Sequence, residues 1–154
     1  MPDSGLDAAA RSLRAWLNGE QFTDLSTAEV TSFLTDSVDR WANSLGYNVQ
    51  REVDLPPDSR RRDHRLGRLD LQLSHRSGRG RLISIEVDRG NKLWSLDKLT
   101  QAAELGHLAL WLRWSRQPVP VPIPPSVRLI RAHVTRRTTI DQQKRHTLQP
   151  DNCG

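Results

Sequence analysis

Gly67 to Leu99 reads GRLDLQLSHRSGRGRLISIEVDRGNKLWSLDKL. Two short apolar-polar alternations flank a turn of Gly, Ser and Arg, and a loop and the start of a helix follow. Leu69, Leu71 and Leu73 recur with period two, as do Ile83, Ile85 and Val87, so Leu69–Leu73 and Leu82–Asp88 are each expected as a strand with one buried face. Placing both apolar sets on one side of an antiparallel pair forces odd positions opposite odd ones. A turn centred on Gly78 meets that condition. It sets Leu71 against Ile85 and Asp70 against Glu86, with facing Cβ atoms roughly 4.5–5.5 Å apart. Asp88 then falls on the same face, diagonal to Asp70.

Three carboxylates converging on an apolar hairpin repel one another and titrate abnormally unless a cation or a base lies among them. A hard divalent ion that takes oxygen ligands, such as Mg²⁺, suits such a set. The same acids on the wet face of a hairpin could instead be ion-paired at a surface, because arginines are abundant around them.

Working outward, Ser26 or Thr27 is expected to cap a helix running to about Leu45. Its inner stripe is Val30, Phe33, Leu34, Val38, Trp41 and Leu45, and Gly46 closes it. Glu29 and Asp36 lie along one flank of that stripe, from which an acid could look toward the sheet. Tyr47–Leu55 reads as the first strand and is stopped by Pro56-Pro57. Asp58–Arg65, without an apolar residue, is expected as an exposed loop. On the other side, Ser95 is expected to cap a helix from Leu96 to about Leu105, ended by Gly106. His107–Trp114 is a near-continuous apolar run, as in a strand buried on both faces. Gln117–Ser126, with five prolines, cannot join a sheet interior, and Val127–Val134 is expected as the last strand. The plan is a peripheral segment over 1–25 with a short helix at Leu6–Leu17, one domain over 26–134, and a polar tail over 135–154, weakly helical or without structure.

A chain of 154 residues, 36% hydrophobic and 27% charged, suits one domain. The single cysteine, Cys153, excludes an internal disulfide and a cysteine-based metal site. With no signal-peptide pattern and no apolar run long enough to span a bilayer, a soluble, cytoplasmic protein without a membrane partner is expected. Net charge is +5, and of the 23 basic residues all but Lys92, Lys98 and Lys144 are arginine. Nine arginines stand against five acids from Arg51 to Arg81, and six basic residues stand against Asp141 alone from Arg128 to Arg145. Such runs suit a phosphate backbone, although a solvated basic surface shares the composition. The candidate nucleic-acid contacts are Arg60, Arg61, Arg62, Arg65, Arg68 and Lys92.

The order helix, strand, strand, strand, helix, strand resembles the common core of the PD-(D/E)XK nuclease superfamily. That resemblance implies an α/β, restriction-endonuclease-like fold, a mixed central sheet flanked by helices. The local text is similar too. The family's G-R-x-D-L motif stands here as Gly67-Arg68-Leu69-Asp70-Leu71, and its I-E-x-K motif as Ile85-Glu86-Val87-Asp88. The likeness covers about Ala28 to Trp114. It departs at Asp88, where the family usually has lysine. E-x-D-R-G followed by a K-L helix resembles a variant seen in replication- and mobilisation-associated proteins of actinobacterial plasmids, in which a lysine of the following helix stands in. Lys98 is the matching candidate and Lys92 the second, while Gln101 sits near a position where many members have glutamine.

The resemblance implies a metal-dependent DNA endonuclease. Asp70 and Glu86, joined by the Val87 carbonyl, would hold Mg²⁺, with Mn²⁺ able to substitute. Asp88 would bind metal or take a proton from water, and Lys98 would orient that water or stabilise the phosphorane. Glu29 or Asp36 would add the helix-borne acid found in part of the family, and a homodimer is one way to cut both strands. The missing motif lysine keeps a second reading open, an inactive DNA-binding module of phage, plasmid or defence function. A third is an interaction protein whose acidic hairpin docks a partner.

Overall fold

The computed structural model describes residues 3–57 and 67–150. Ser26 caps the helix that the sequence marks there. Its hydroxyl accepts from the Glu29 backbone N–H at 3.3 Å, and the Glu29 carboxylate accepts from the Ser26 N–H at 3.0 Å, a reciprocal pair that satisfies two otherwise orphaned donors. The helix runs Thr27–Ser44 and buries Val30, Leu34, Val38 and Trp41. Gly46 then takes φ +88°, the left-handed conformation that a glycine adopts without strain.

In chain order the elements are α1 Ser4–Leu17, β1 Phe22–Leu25, α2 Thr27–Ser44, β2 Tyr47–Asp54, β3 Arg68–His75, β4 Ile83–Asp88, α3 Leu93–Glu104, β5 Leu108–Arg113, β6 Val127–Arg131, β7 Thr135–Thr138 and β8 Lys144–Leu148. The main sheet has five strands in the order β2-β3-β4-β5-β6. β2, β3 and β4 pair antiparallel, whereas β4, β5 and β6 run parallel, with α3 crossing from β4 to β5. The fold is therefore α/β with a mixed central sheet. The hairpin register is the expected one, Leu71 opposite Ile85 and Leu73 opposite Ile83.

Two cores lie on the two faces. Leu71, Leu73, Ile85, Val87, Leu110 and Leu112 pack with α1, α2 and the second sheet, and Leu69, Ala109, Trp111 and Val127 pack with Leu96, Leu99 and Ala102 of α3. Leu69 thus parts company with Leu71 and Leu73, against strict alternation. The change comes beside Asp70, whose β2 neighbour in the register, Glu52, has φ +56°.

Several elements differ from expectation. α1 is no peripheral helix: Leu6, Ala10, Leu13 and Leu17 are all buried in the larger core, because their spacing lines one face. The polar stretch from Thr135 onward forms β7 and β8, which join β1 in a three-stranded sheet of order β1-β8-β7. α3 starts at Leu93, with Lys92 at the cap and no side-chain cap bond, so Ser95 sits buried inside the helix rather than at its start. The last strand of the main sheet ends at Arg131 rather than Val134. Among the described residues no helix is long and apolar enough to cross a membrane.

Leu13→Ala tests whether α1 is integral. A fully buried Leu13 predicts a loss of about 2–5 kcal/mol in urea unfolding, whereas a helix loosely attached to the domain predicts a change within about 0.5 kcal/mol.

Candidate active site

The β3–β4 ladder ends at Leu71 and Ile85, and beyond it a side chain replaces the main chain. Asp70 Oδ2 accepts the Val87 backbone N–H at 2.8 Å, so this carboxylate bridges the strands where they part. Glu86, opposite Asp70 by the same register, is 1% exposed. Its carboxyl lies against that of Asp70.

The nearest positive charge arrives from α3. Lys98 Nζ is in ion-pair contact with Glu86 Oε1 and donates to the Arg68 carbonyl at 2.7 Å. The ammonium thus spans the Glu86 carboxyl and a backbone carbonyl. Lys98 is itself 4% exposed, and its stem passes over Gly67. A Cβ at Gly67 would lie 2.9 Å from Lys98 Cγ and 3.1 Å from Leu55 Cδ1, which explains a glycine there. Gln101, a turn further along α3, donates to the Pro56 carbonyl at 2.6 Å and so ties the helix to the end of β2.

Burial, followed by the hydrogen-bonding and charge of Asp70, pushes the Glu86 carboxyl up to about 9, while Lys98 works in the opposite direction. A site that crowds two carboxyls offers oxygen ligands of the kind a hard divalent cation takes. Asp70 and Glu86 are the side chains that would hold it.

Asp88 does not join them. Its Oδ2 accepts the Trp111 indole N–H at 2.9 Å, and among the described residues no group of three His, Cys, Asp or Glu is gathered for a metal ion. The expected trio is a pair plus a lysine, because the buried indole of β5 needs an acceptor and Asp88 supplies it. The helix-borne acids also lie elsewhere. Glu29 is spent in the α2 cap, and Asp36 pairs with Arg51 at 2.9 Å. Of the two lysines, Lys98 reaches Glu86 and Lys92 is exposed at the start of α3. Arg68 pairs with Asp54 at 3.1 Å. Arg60, Arg61, Arg62 and Arg65 lie outside the described residues. The Trp111 bond to Asp88 was not foreseen from sequence, and its signal was only that the two residues fall on neighbouring strands.

Compared with known proteins, the chain matches no family model, no curated protein and no solved structure.

Two outcomes are expected. Glu86 holds its proton more tightly in the folded chain than in the unfolded one, so the stability it contributes is complete below the ordinary 4.5 and is lost as pH rises toward about 9. Thermal melts of metal-free protein should show Tm falling across that window, and Glu86→Gln should remove the slope; a slope unchanged in the variant contradicts the burial assigned to this carboxyl. Gly67→Ala should displace Lys98, read as loss of the Lys98 ammonium contact in a crystal structure of the variant.

Proposed function

We propose that the chain is a metal-dependent nuclease of restriction-endonuclease-like architecture that hydrolyses DNA phosphodiester bonds. The observation that carries this reading is the half-buried Asp70 and buried Glu86 at facing strand positions, with Lys98 of the next helix against Glu86. The order of elements from α2 to β5, with β2, β3 and β4 antiparallel and β5 parallel after a crossover helix, supports it.

When bound, Mg²⁺ or Mn²⁺ would polarise the phosphoryl oxygens and lower the pKa of an attacking water. Asp70 and Glu86 supply the negative charge that holds it. Asp70 is fixed for that work by the Val87 N–H, which leaves Oδ1 free of that bond. Lys98 supplies a fixed positive charge beside the acids, where it stabilises charge developing on the phosphoryl group. Asp88, engaged by Trp111, anchors the end of β4 to β5 instead of taking a proton.

One observation favours the second reading, an inactive DNA-binding module. Lys98 already occupies the place beside Glu86 where a divalent ion would act, and a carboxyl that holds its proton up to about 9 needs no metal. Incubation of supercoiled plasmid with Mg²⁺ or Mn²⁺ separates the two. Cleavage that is abolished by Asp70→Ala and by Glu86→Ala, and reduced by about two orders of magnitude in Lys98→Ala, selects the nuclease. Calorimetry should then show binding heats for Mn²⁺ that vanish in Glu86→Ala. Salt-sensitive DNA binding without cleavage or metal heats selects the module.

A further inference from the structure

A second feature lies beyond the C-terminal ends of β4 and β5. A cleft of about 780 Å³ opens between the main sheet and the second sheet, lined among others by Arg89, Ser115, Arg116, Thr135, Arg136 and His146. It contains no carboxylate. Among the described residues, arginines elsewhere are mostly spoken for. Arg40, Arg51, Arg68, Arg81, Arg128 and Arg137 each pair with an Asp or Glu. Arg89, Arg116 and Arg136 are exposed, and nothing among the described residues hydrogen-bonds to or ion-pairs with their guanidinium groups.

The wall between them is polar and unsatisfied. Ser115 Oγ and His146 Nδ1 are buried atoms with no hydrogen-bond partner. His146 is only 2% exposed. Its Nε2 is bonded to Thr27 Oγ1 at 3.1 Å, and its ring meets Trp114 edge-on. Thr27 takes up Nε2, which leaves Nδ1 as the ring nitrogen without a partner. Burial and the charges of Arg89 and Arg136 hold the imidazole below its ordinary value, which keeps it neutral. Three unpartnered guanidiniums around buried hydroxyl and imidazole groups, with no acid to answer them, ask for an anion with several acceptor oxygens.

We propose that this cleft binds the phosphate backbone of a nucleic-acid strand, at a site separate from the Asp70–Glu86 pair. Its volume lies within the roughly 300–1,000 Å³ of ordinary ligand clefts and accommodates a nucleotide-sized segment. Among its described lining residues no aromatic ring is exposed to stack a base, so recognition is of the backbone and indifferent to sequence. A strand is favoured over a lone anion because basic charge continues beyond the cleft on the same side of the β7–β8 ladder, where Lys144 shares the face of Arg136 and His146. Binding here does not depend on whether the acidic pair cuts.

The test is fluorescence anisotropy of the full chain with a fluorescein-labelled single-stranded DNA of mixed sequence, in EDTA so that no hydrolysis enters. Arg89→Ala/Arg136→Ala should weaken binding by about tenfold and flatten the dependence of log K on log salt by about 0.7 per lost contact. Arg116→Glu, an independent variant at an exposed position, should weaken it as well. Arg11→Ala/Arg14→Ala removes the same charge from α1, where both arginines are exposed, and should change affinity less than about twofold. Equal losses in the two double variants, or no loss in either, overturn the site. A fluorescein-labelled mononucleotide that binds as tightly as the strand overturns the strand and leaves a small-anion site. Plasmid cleavage with Mn²⁺ is scored separately, so a strand-binding protein that cuts nothing upholds the cleft while rejecting the nuclease.

Discussion

A carboxyl group buried in the centre of a sheet sets the terms for the surrounding structure. Glu86 sits on β4, a strand with partners on both sides, and water cannot solvate it there. An ionised carboxylate in that position is costly unless a compensating charge and hydrogen bonds are close. α3 brings Lys98 in over the strand, and Gly67 is a glycine so that the lysine stem can pass. Gln101 pins the same helix to Pro56 at the end of β2. Asp70 lies beside Glu86 because the strands part after Leu71 and Ile85, leaving the Val87 N–H for its side chain to take. Several residues that look like separate motif letters in the sequence thus answer one electrostatic demand.

The hairpin was legible because period-two alternation fixes register as well as face, and the pairing of Leu71 with Ile85 follows from parity alone. α2 was legible through a complete set of local signals, from the Ser26–Glu29 box to Gly46. β5 was legible as an apolar run bounded by charge. The second sheet was not. All four residues of β7, Thr135–Thr138, are exposed, and β8 buries only His146 and Leu148, so its pairing rests on backbone hydrogen bonds that leave no apolar rhythm to read. α1 had a readable stripe, but a stripe does not say which sheet it will cover. At the site, the facing pair followed from residue parity, while the choice of Lys98 came only through the family resemblance. Asp88 falls on the face that alternation assigns it, but alternation says nothing about which neighbour on that face claims the side chain.

Charge composition has the same limit. An arginine count gives net charge and runs, but cannot distinguish a guanidinium neutralised by Asp24 or Asp36 from one left open. Arg137 and Arg136 are adjacent on β7, yet Arg137 binds both oxygens of Asp24 at 2.8 and 3.0 Å while Arg136 lines the cleft. Alternation along the strand sends neighbours to opposite faces. Which face carries free charge is settled by the partner strands.

The surroundings of the acid at position 88 also follow from this layout. Arg113, at the end of β5, is fully buried and binds the carbonyls of Gly90 and Gln117, both at 3.1 Å. It thereby ties together two loops that frame the cleft. Its guanidinium lies 5.3 Å from the centre of the Trp111 ring, and the Trp111 indole bonds Asp88. Burial and the nearby Arg131 weaken the hold of Arg113 on its proton, and Asp88 opposes them. Asp88 and Arg113 are register partners on parallel strands, and the charge of the acid favours the protonated guanidinium across that pair. A lysine at position 88 would set two cations side by side without solvent. With Asp88 Oδ2 taken by the Trp111 indole, the positive charge beside Glu86 comes from another element, Lys98 of the crossover helix.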